Sequence, residues 1–302
     1  MNGASARFRS EHRRGQAYAL GAALAWSTGG ILQRQIAAGA ADQIVGRAIF
    51  AFVAVLGFVW LGEGVGPRTA FRSVANGAGL GVAAGIAVAS ATFIVALNHT
   101  SVAHVLVIQA ITPILAGLFA FWALREPLSA RTWAAMALAV VGLAVMVGVP
   151  HGGSALGELM ALLSPLAFAV VIVLARRHRE VSMTPATALA QLMLVLGGLP
   201  FVHVGQLHAG DVGWLAALGL GQQGFGLVFF TLGARLIPAA AMGLILLLES
   251  VLGAVWGWLG TAERPNVPTV LGGLIVLIAV AIKLREDNAH AERERAGVAT
   301  VP

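Results

Sequence analysis

The chain has 302 residues, 58% of them apolar and only 11% charged, with a formal charge of +6. An ordinary globular domain is roughly 25% charged, so a soluble enzyme of this size is excluded: too little charge remains to coat its surface. The lack of cysteine excludes disulfides, thiolate metal sites and cysteine nucleophiles, and a single lysine, Lys283, excludes a G-x-x-x-x-G-K-[ST] phosphate loop and hence an ATP-driven motor on this chain.

A membrane helix takes about 20 mostly apolar residues. In chain order such segments run at 16–36, 42–61, 73–97, 101–123, 131–149, 155–176, 184–204, 211–234, 238–259 and 267–284. The connections are short and hold the breakers: Gly62–Pro67, Arg125–Ser129, Pro150–Ser154, Val181–Pro185, Gly205–Asp211 and Ala262–Pro268. The predicted fold is an all-α integral membrane protein of ten transmembrane helices. Residues 1–14 and 286–302 read as polar cytoplasmic tails whose mixed charge predicts disorder. The arginines before the first apolar run resemble a secretory leader, but the run is long and recurs later in the chain, so it reads as a retained helix.

Cationic residues orient the chain. With the N-terminus cytoplasmic, 16 Lys/Arg fall on the inner side, while only Arg34, Arg47 and Arg264 fall on the outer side. This positive-inside asymmetry places both termini in the cytoplasm and requires an even number of spans. It also accounts for the net charge through an anionic leaflet, so the bilayer is the expected partner and nucleic acid is not.

The sequence repeats. Residues 15–34 set against 157–176 share Gly15/Gly157, Ala19/Ala161, Leu20/Leu162, Leu24/Leu166, Ala25/Ala167, Leu32/Leu174 and Arg34/Arg176, with Trp26 facing Phe168. Later, Phe93/Phe230, Ala103/Ala240 and Glu126/Glu263 match at a shift of 137. The halves, 15–149 and 155–285, hold five spans each, and an odd number makes them inverted-topology repeats. Such halves suit a secondary transporter, since they can rock around a central site.

The chain resembles the drug/metabolite transporter superfamily of the EamA type. The resemblance rests on Ala25-Trp26-Ser27-Thr28, Arg47, Thr112-Pro113, Arg125-Glu126-Pro127, Leu248-Glu249-Ser250 and Gly260-Thr261-Ala262-Glu263-Arg264, in that order over nearly all of 15–285. Within it the chain is similar to the YddG-like bacterial amino-acid exporters. The resemblance implies export of small metabolites, amino acids foremost, across the inner membrane without cofactor or enzymatic activity. It also implies a central cavity lined by spans 1, 3, 4, 6, 8 and 9, with 2, 5, 7 and 10 peripheral. Drugs, quaternary cations or nucleotide sugars are the alternative cargo, and a membrane enzyme or scaffold the lesser one. A single copy fits this architecture. Ser250 stands where the family usually has proline, so span 9 is expected to be straighter than span 4.

Polar groups in hydrocarbon are costly and face protein or a wet path. The candidate cavity residues are Trp26, Ser27, Ser90, Thr92, Phe93, Gln109, Thr112, Phe168, Gln222, Phe225, Phe229 and Glu249. Glu249 is either a proton or cation site or a carboxyl that locks span 9. The glutamines are either interhelical partners or ligand contacts, and the aromatics either cavity lining or core. Arg47 is expected to snorkel outward. Glu126 and Glu263 are expected to anchor helix ends. His99 and His104 are five apart on different faces, so no metal site is expected. Gly77, Gly81 and Gly85 recur every four residues and predict close helix approach in span 3.

Overall fold

The computed structural model describes residues 2–33, 35–100, 102–126, 128–147, 154–202, 208–261 and 266–299. Every regular element among them is a helix. Helices α1 (Asn2–Ser27), α2 (Gly29–Gln33), α3 (Ala40–Leu61), α4 (Pro67–Ser73), α5 (Gly77–His99), α6 (Val102–Gln109), α7 (Thr112–Leu124) and α8 (Ala130–Val147) form the first half. The second half holds α9 (Ala155–Arg177), α10 (Thr184–Gly198), α11 (Ala209–Ala216), a π-helical segment (Ala217–Phe225), α12 (Gly226–Ala234), α13 (Ala239–Leu246), α14 (Leu248–Thr261) and α15 (Val267–Ala299). Among the described residues, seven helical stretches are long and apolar enough to cross a bilayer, while Thr112–Leu124 and Ala130–Met146 are shorter apolar helices.

Three of the apolar segments expected to be spans are interrupted within their length. The first stops at Thr28, whose hydroxyl donates back to the Ala25 carbonyl at 2.7 Å, as Ser27 does to Leu24. Such back-bonding competes with the helical ladder and bends it. In span 4, Pro113 has no N–H to continue α6, and the chain restarts as α7. Span 9, expected to be straighter than span 4, is interrupted at a single residue, Leu247, between α13 and α14, and still forms one stretch of membrane length, whereas span 4 breaks over two residues. At the break the Leu247 N–H takes the Leu244 carbonyl at 3.2 Å, a tightened turn that needs no proline. Helices α6 and α13 begin and end at positions 137 apart, the register of the internal duplication.

The first and last helices continue into the polar tails. The helix of α1 starts at Asn2 and that of α15 runs to Ala299. Good helix formers (Ala, Glu, Arg) dominate the polar end of α15. Its first polar turn is tied down: Lys283 Nζ donates to Asp287 at 2.6 Å and to Thr132 of α8 at 3.0 Å, and Glu286 accepts from Ser129 and Thr132.

Small residues let the spans approach. A Cβ added to Gly85 would lie 2.5 Å from Val171 of α9, and one on Gly81 would meet Leu174 at 3.1 Å, whereas Gly77 faces open space. At the crossing of α8 and α15, a Cβ on Gly272 would sit 2.3 Å from the Gly142 carbonyl. The buried interior includes Ile94, Met136, Ile172, Phe230 and Met242. Trp60, Trp122, Trp133, Trp214 and Trp258 stand on the outside, Trp122 80% exposed, as aromatic anchors of a lipid-facing surface do.

Candidate functional site

Two of the cavities between the described helices bear on function. The smaller, about 120 Å³, lies where the interrupted spans meet and is lined by Trp26, Arg47, Ile86, Ala89, Ser90, Phe93, Gln109, Ser164, Phe168, Gln222, Gln223, Leu227 and Glu249. Spans 1, 3, 4, 6, 8 and 9 contribute, and so does span 2, which was expected to be peripheral. The residue that brings it in is Arg47. Rather than snorkelling outward, Arg47 is 6% exposed, and its guanidinium donates to Ser90 Oγ at 2.7 Å. Its position fits the packing of α3: beside it a Cβ on Gly219 would meet the Arg47 carbonyl at 2.5 Å, so the π-helical segment lies against α3 at this level.

The other lining groups are held from several sides. Gln109 Nε2 donates to Ser164 Oγ at 3.3 Å, and Ser164 donates to the Ala89 carbonyl at 3.0 Å, joining α6, α9 and α5. Gln109 Oε1 has no partner, nor has Gln222 Oε1. Gln222 and Gln223 sit on the π-helical segment, where one-turn widening of the helix re-aims side chains and often marks functional sites. Glu249 stands in the first turn of α14, just after the break. Among the described residues Arg47 and Glu249 form no ion pair with each other. Trp26 contacts Phe168 edge-on at 5.6 Å and Phe230 at 5.9 Å, and Phe168 contacts Phe230 at 5.0 Å, making an aromatic wall.

The structure separates five of the sequence-selected residues from this cavity. Ser27 accepts from Trp256 Nε1 at 2.8 Å, and Thr112 donates to the Gln109 carbonyl at 2.7 Å. Thr92 donates to the Val88 carbonyl at 2.7 Å. Phe225 is 56% exposed, and Phe229 stacks on Tyr18 at 6.3 Å. The π-helical segment accounts for the two phenylalanines, because its i→i+5 bonding shifts the angular phase of the residues from Ala217 onward. It is Phe230, passed over in the sequence, that supports the aromatic wall.

The larger cavity, about 860 Å³, opens at the arginine-rich end and is lined by charges, among them His12, Glu126, Arg176, Arg235, Lys283 and Asp287. Here Arg176 Nε meets Glu126 Oε1 at 2.9 Å, and Arg176 Nη1 donates to the Arg235 carbonyl at 3.0 Å. Glu126 thus ties the end of α7 to α9. The chain leaves α7 through Arg125, which is left-handed at φ 55°. Glu263 and His104 lie outside the described side chains. No group of three metal-ligating side chains occurs among the described residues.

Comparison with known proteins accords with this architecture. The EamA-like transporter family matches at residues 13–148 and again at 155–285. An uncharacterized transporter of Archaeoglobus fulgidus is 26% identical over 244 residues, covering 80% of this chain and 85% of its own. The uncharacterized transporter YxxF of Bacillus subtilis is 23% identical over 208 residues, covering 65% of this chain and 67% of its own. A solved structure described only as a protein superposes with TM-score 0.77 at 18% identity, over 89% of this chain and 96% of that one, which speaks for the fold alone. With two family matches that span nearly the whole chain, this multi-pass membrane protein belongs to the EamA-like transporter family and is a transporter, not an enzyme.

Proposed function

We propose that the protein is a secondary transporter that exports small organic metabolites, amino acids foremost, by alternating access around the 120 Å³ cavity. In this reading ten spans form two inverted five-helix repeats in a bacterial inner membrane, with both termini in the cytoplasm. The arginine-rich end is then the cytoplasmic one, and its 860 Å³ cavity is the inward-facing vestibule. The observation that carries the reading is the convergence of interrupted helices on a cavity where Gln109 and Gln222 keep unpaired amide oxygens. Interrupted spans expose polar ends at mid-membrane, and transporters place substrate there. The matched breaks of α6 and α13, at the register of the duplication, support two halves of one design.

Uptake of labelled amino acids into proteoliposomes tests this. Flux above empty vesicles is expected for several neutral amino acids, and none for any amino acid refutes the substrate class. Glu249 is the proposed coupling site; a Glu249→Gln protein is expected to lose pH-driven uphill transport while keeping exchange down a gradient. A second reading, transport of organic cations, draws on the Trp26–Phe168 pair beside Glu249. It predicts that quaternary ammonium compounds compete with amino-acid flux.

A further inference from the structure

We infer that Arg47 and Glu249 read the two charged ends of the cargo, so that the site selects zwitterions over amines and carboxylates that share the same side chain. The inference rests on the central cavity being the transport site proposed above, and it identifies what that site recognises. A guanidinium has five N–H donors. In Arg47 the described residues supply one side-chain partner, the neutral hydroxyl of Ser90. A buried charge without a countercharge is costly, and structural arginines in membranes are paired. Arg47 is nine-tenths buried, lies within a span, and turns to the same 120 Å³ cavity as Glu249 without pairing with it. Two opposite charges that share a cavity and leave each other free are complementary to a molecule bearing both signs. The guanidinium takes a carboxylate through its fork of donors. Glu249 and the unpaired oxygens of Gln109 and Gln222 supply acceptors for an ammonium group. The apolar wall of Trp26, Phe93 and Phe168 leaves the side chain loosely specified. The volume, about that of four waters in the liquid, suits small members of the class.

The test uses the full-length protein in proteoliposomes and labelled alanine or leucine, whichever moves faster. Competitors are the unlabelled amino acid, the amine lacking its carboxylate and the carboxylic acid lacking its amine. Wild type is expected to be inhibited at least about tenfold more weakly by either single-charge analogue, since each lost charge-assisted contact is worth about that factor. Arg47→Gln is expected to lose preference for the amino acid over the amine. Glu249→Gln is expected to lose preference over the carboxylic acid. If amino acids move but the analogues compete equally well, the inference falls and the transport reading stands. Equal weakening of all three ligands by both variants also overturns it, since that is what a scaffold role produces. No amino-acid flux in wild type overturns both. The wild-type competition needs no variant, so a misfolded Arg47→Gln protein does not spare the inference.

Discussion

Arg47 on α3 and Ser90 on α5 join two spans through a 2.7 Å hydrogen bond at the wall of the central cavity. The serine is the one described side chain that holds the guanidinium in place. Ser90→Ala is therefore expected to raise the KM of transport by roughly tenfold, because a hydrogen bond to a charged group contributes about 1.5–3 kcal/mol. Maximal velocity is expected to change little. An unchanged KM shows that Arg47 is positioned by the packing of α3 alone.

Trp26 and Gly226 make a second such dependence. A Cβ on Gly226 would lie 2.0 Å from Trp26 Nε1, so the indole occupies the place of a side chain. Gly226→Ala is expected to push Trp26 off the aromatic wall and reduce flux at least severalfold, with about 1–3 kcal/mol lost in stability from overpacking. Trp26→Phe separates the two effects. The indole N–H is buried without an acceptor, so removing it is expected to leave the thermal midpoint unchanged or higher. A fall of several degrees in Trp26→Phe shows that the ring volume lost from the aromatic wall outweighs the relief of the unpaired N–H.

These residues show what could be read from the sequence and what could not. Hydropathy marked the apolar blocks, because stretches of bilayer length have few other uses, but the interruption at Leu247 was not legible, since no proline signals it. Glu249, Gln109 and Gln222 stood out because a polar group in hydrocarbon must be accommodated. The direction of Arg47 was not legible. Helix α3 is apolar on nearly all sides, so no polar stripe reports its rotation, and a residue two turns from a helix end can snorkel or turn inward. What sets it is contact with α5 and with Gly219, both far along the chain. Phe230 was missed for a different reason: a helical wheel assumes one pitch, and the π-helical segment changes it.

Glycine at the crossing of α8 and α15 gives a stability test. Gly272→Val is expected to separate the helices, since even a Cβ there would lie 2.3 Å from a backbone atom on each of Gly142 and Met146. The folded fraction and thermal midpoint in detergent are expected to fall sharply. Gly57→Ala is the control: it meets nothing within 4 Å and is expected to be neutral or stabilising by up to about 1 kcal/mol. If the two variants behave alike, the close crossing does not contribute to stability.

At the arginine-rich end, Arg176 ties Glu126 at 2.9 Å and the Arg235 carbonyl at 3.0 Å. Arg176 therefore holds α7 and the end of α12 to α9, whereas Glu126 makes only the first of these links. Arg176→Gln is expected to destabilise more than Glu126→Gln. The double variant is expected to be less unstable than the sum by about 0.5–3 kcal/mol, the coupling typical of residues in one network. Additive thermal effects mean that the pair is not coupled.

His12 gives this end a pH dependence with a definite sign. It is buried at 8% exposed, and burial pulls its imidazole below the ordinary value of 6.5, with Arg176 and Lys283 acting in the same direction and Asp287 opposing. Above pH 6.5 the ring is neutral both folded and unfolded, so its contribution is constant. Below that value the unfolded chain takes up a proton that the folded protein resists, and stability falls until the pH reaches the depressed native value. The wild-type thermal midpoint is therefore expected to drop more between pH 7.5 and pH 5.5 than that of His12→Gln, which keeps a polar side chain but cannot titrate. Equal drops mean that His12 has no part in the acid response. A larger drop in His12→Gln means that Asp287 dominates over burial and the two cations, making the protonated ring a stabilising partner.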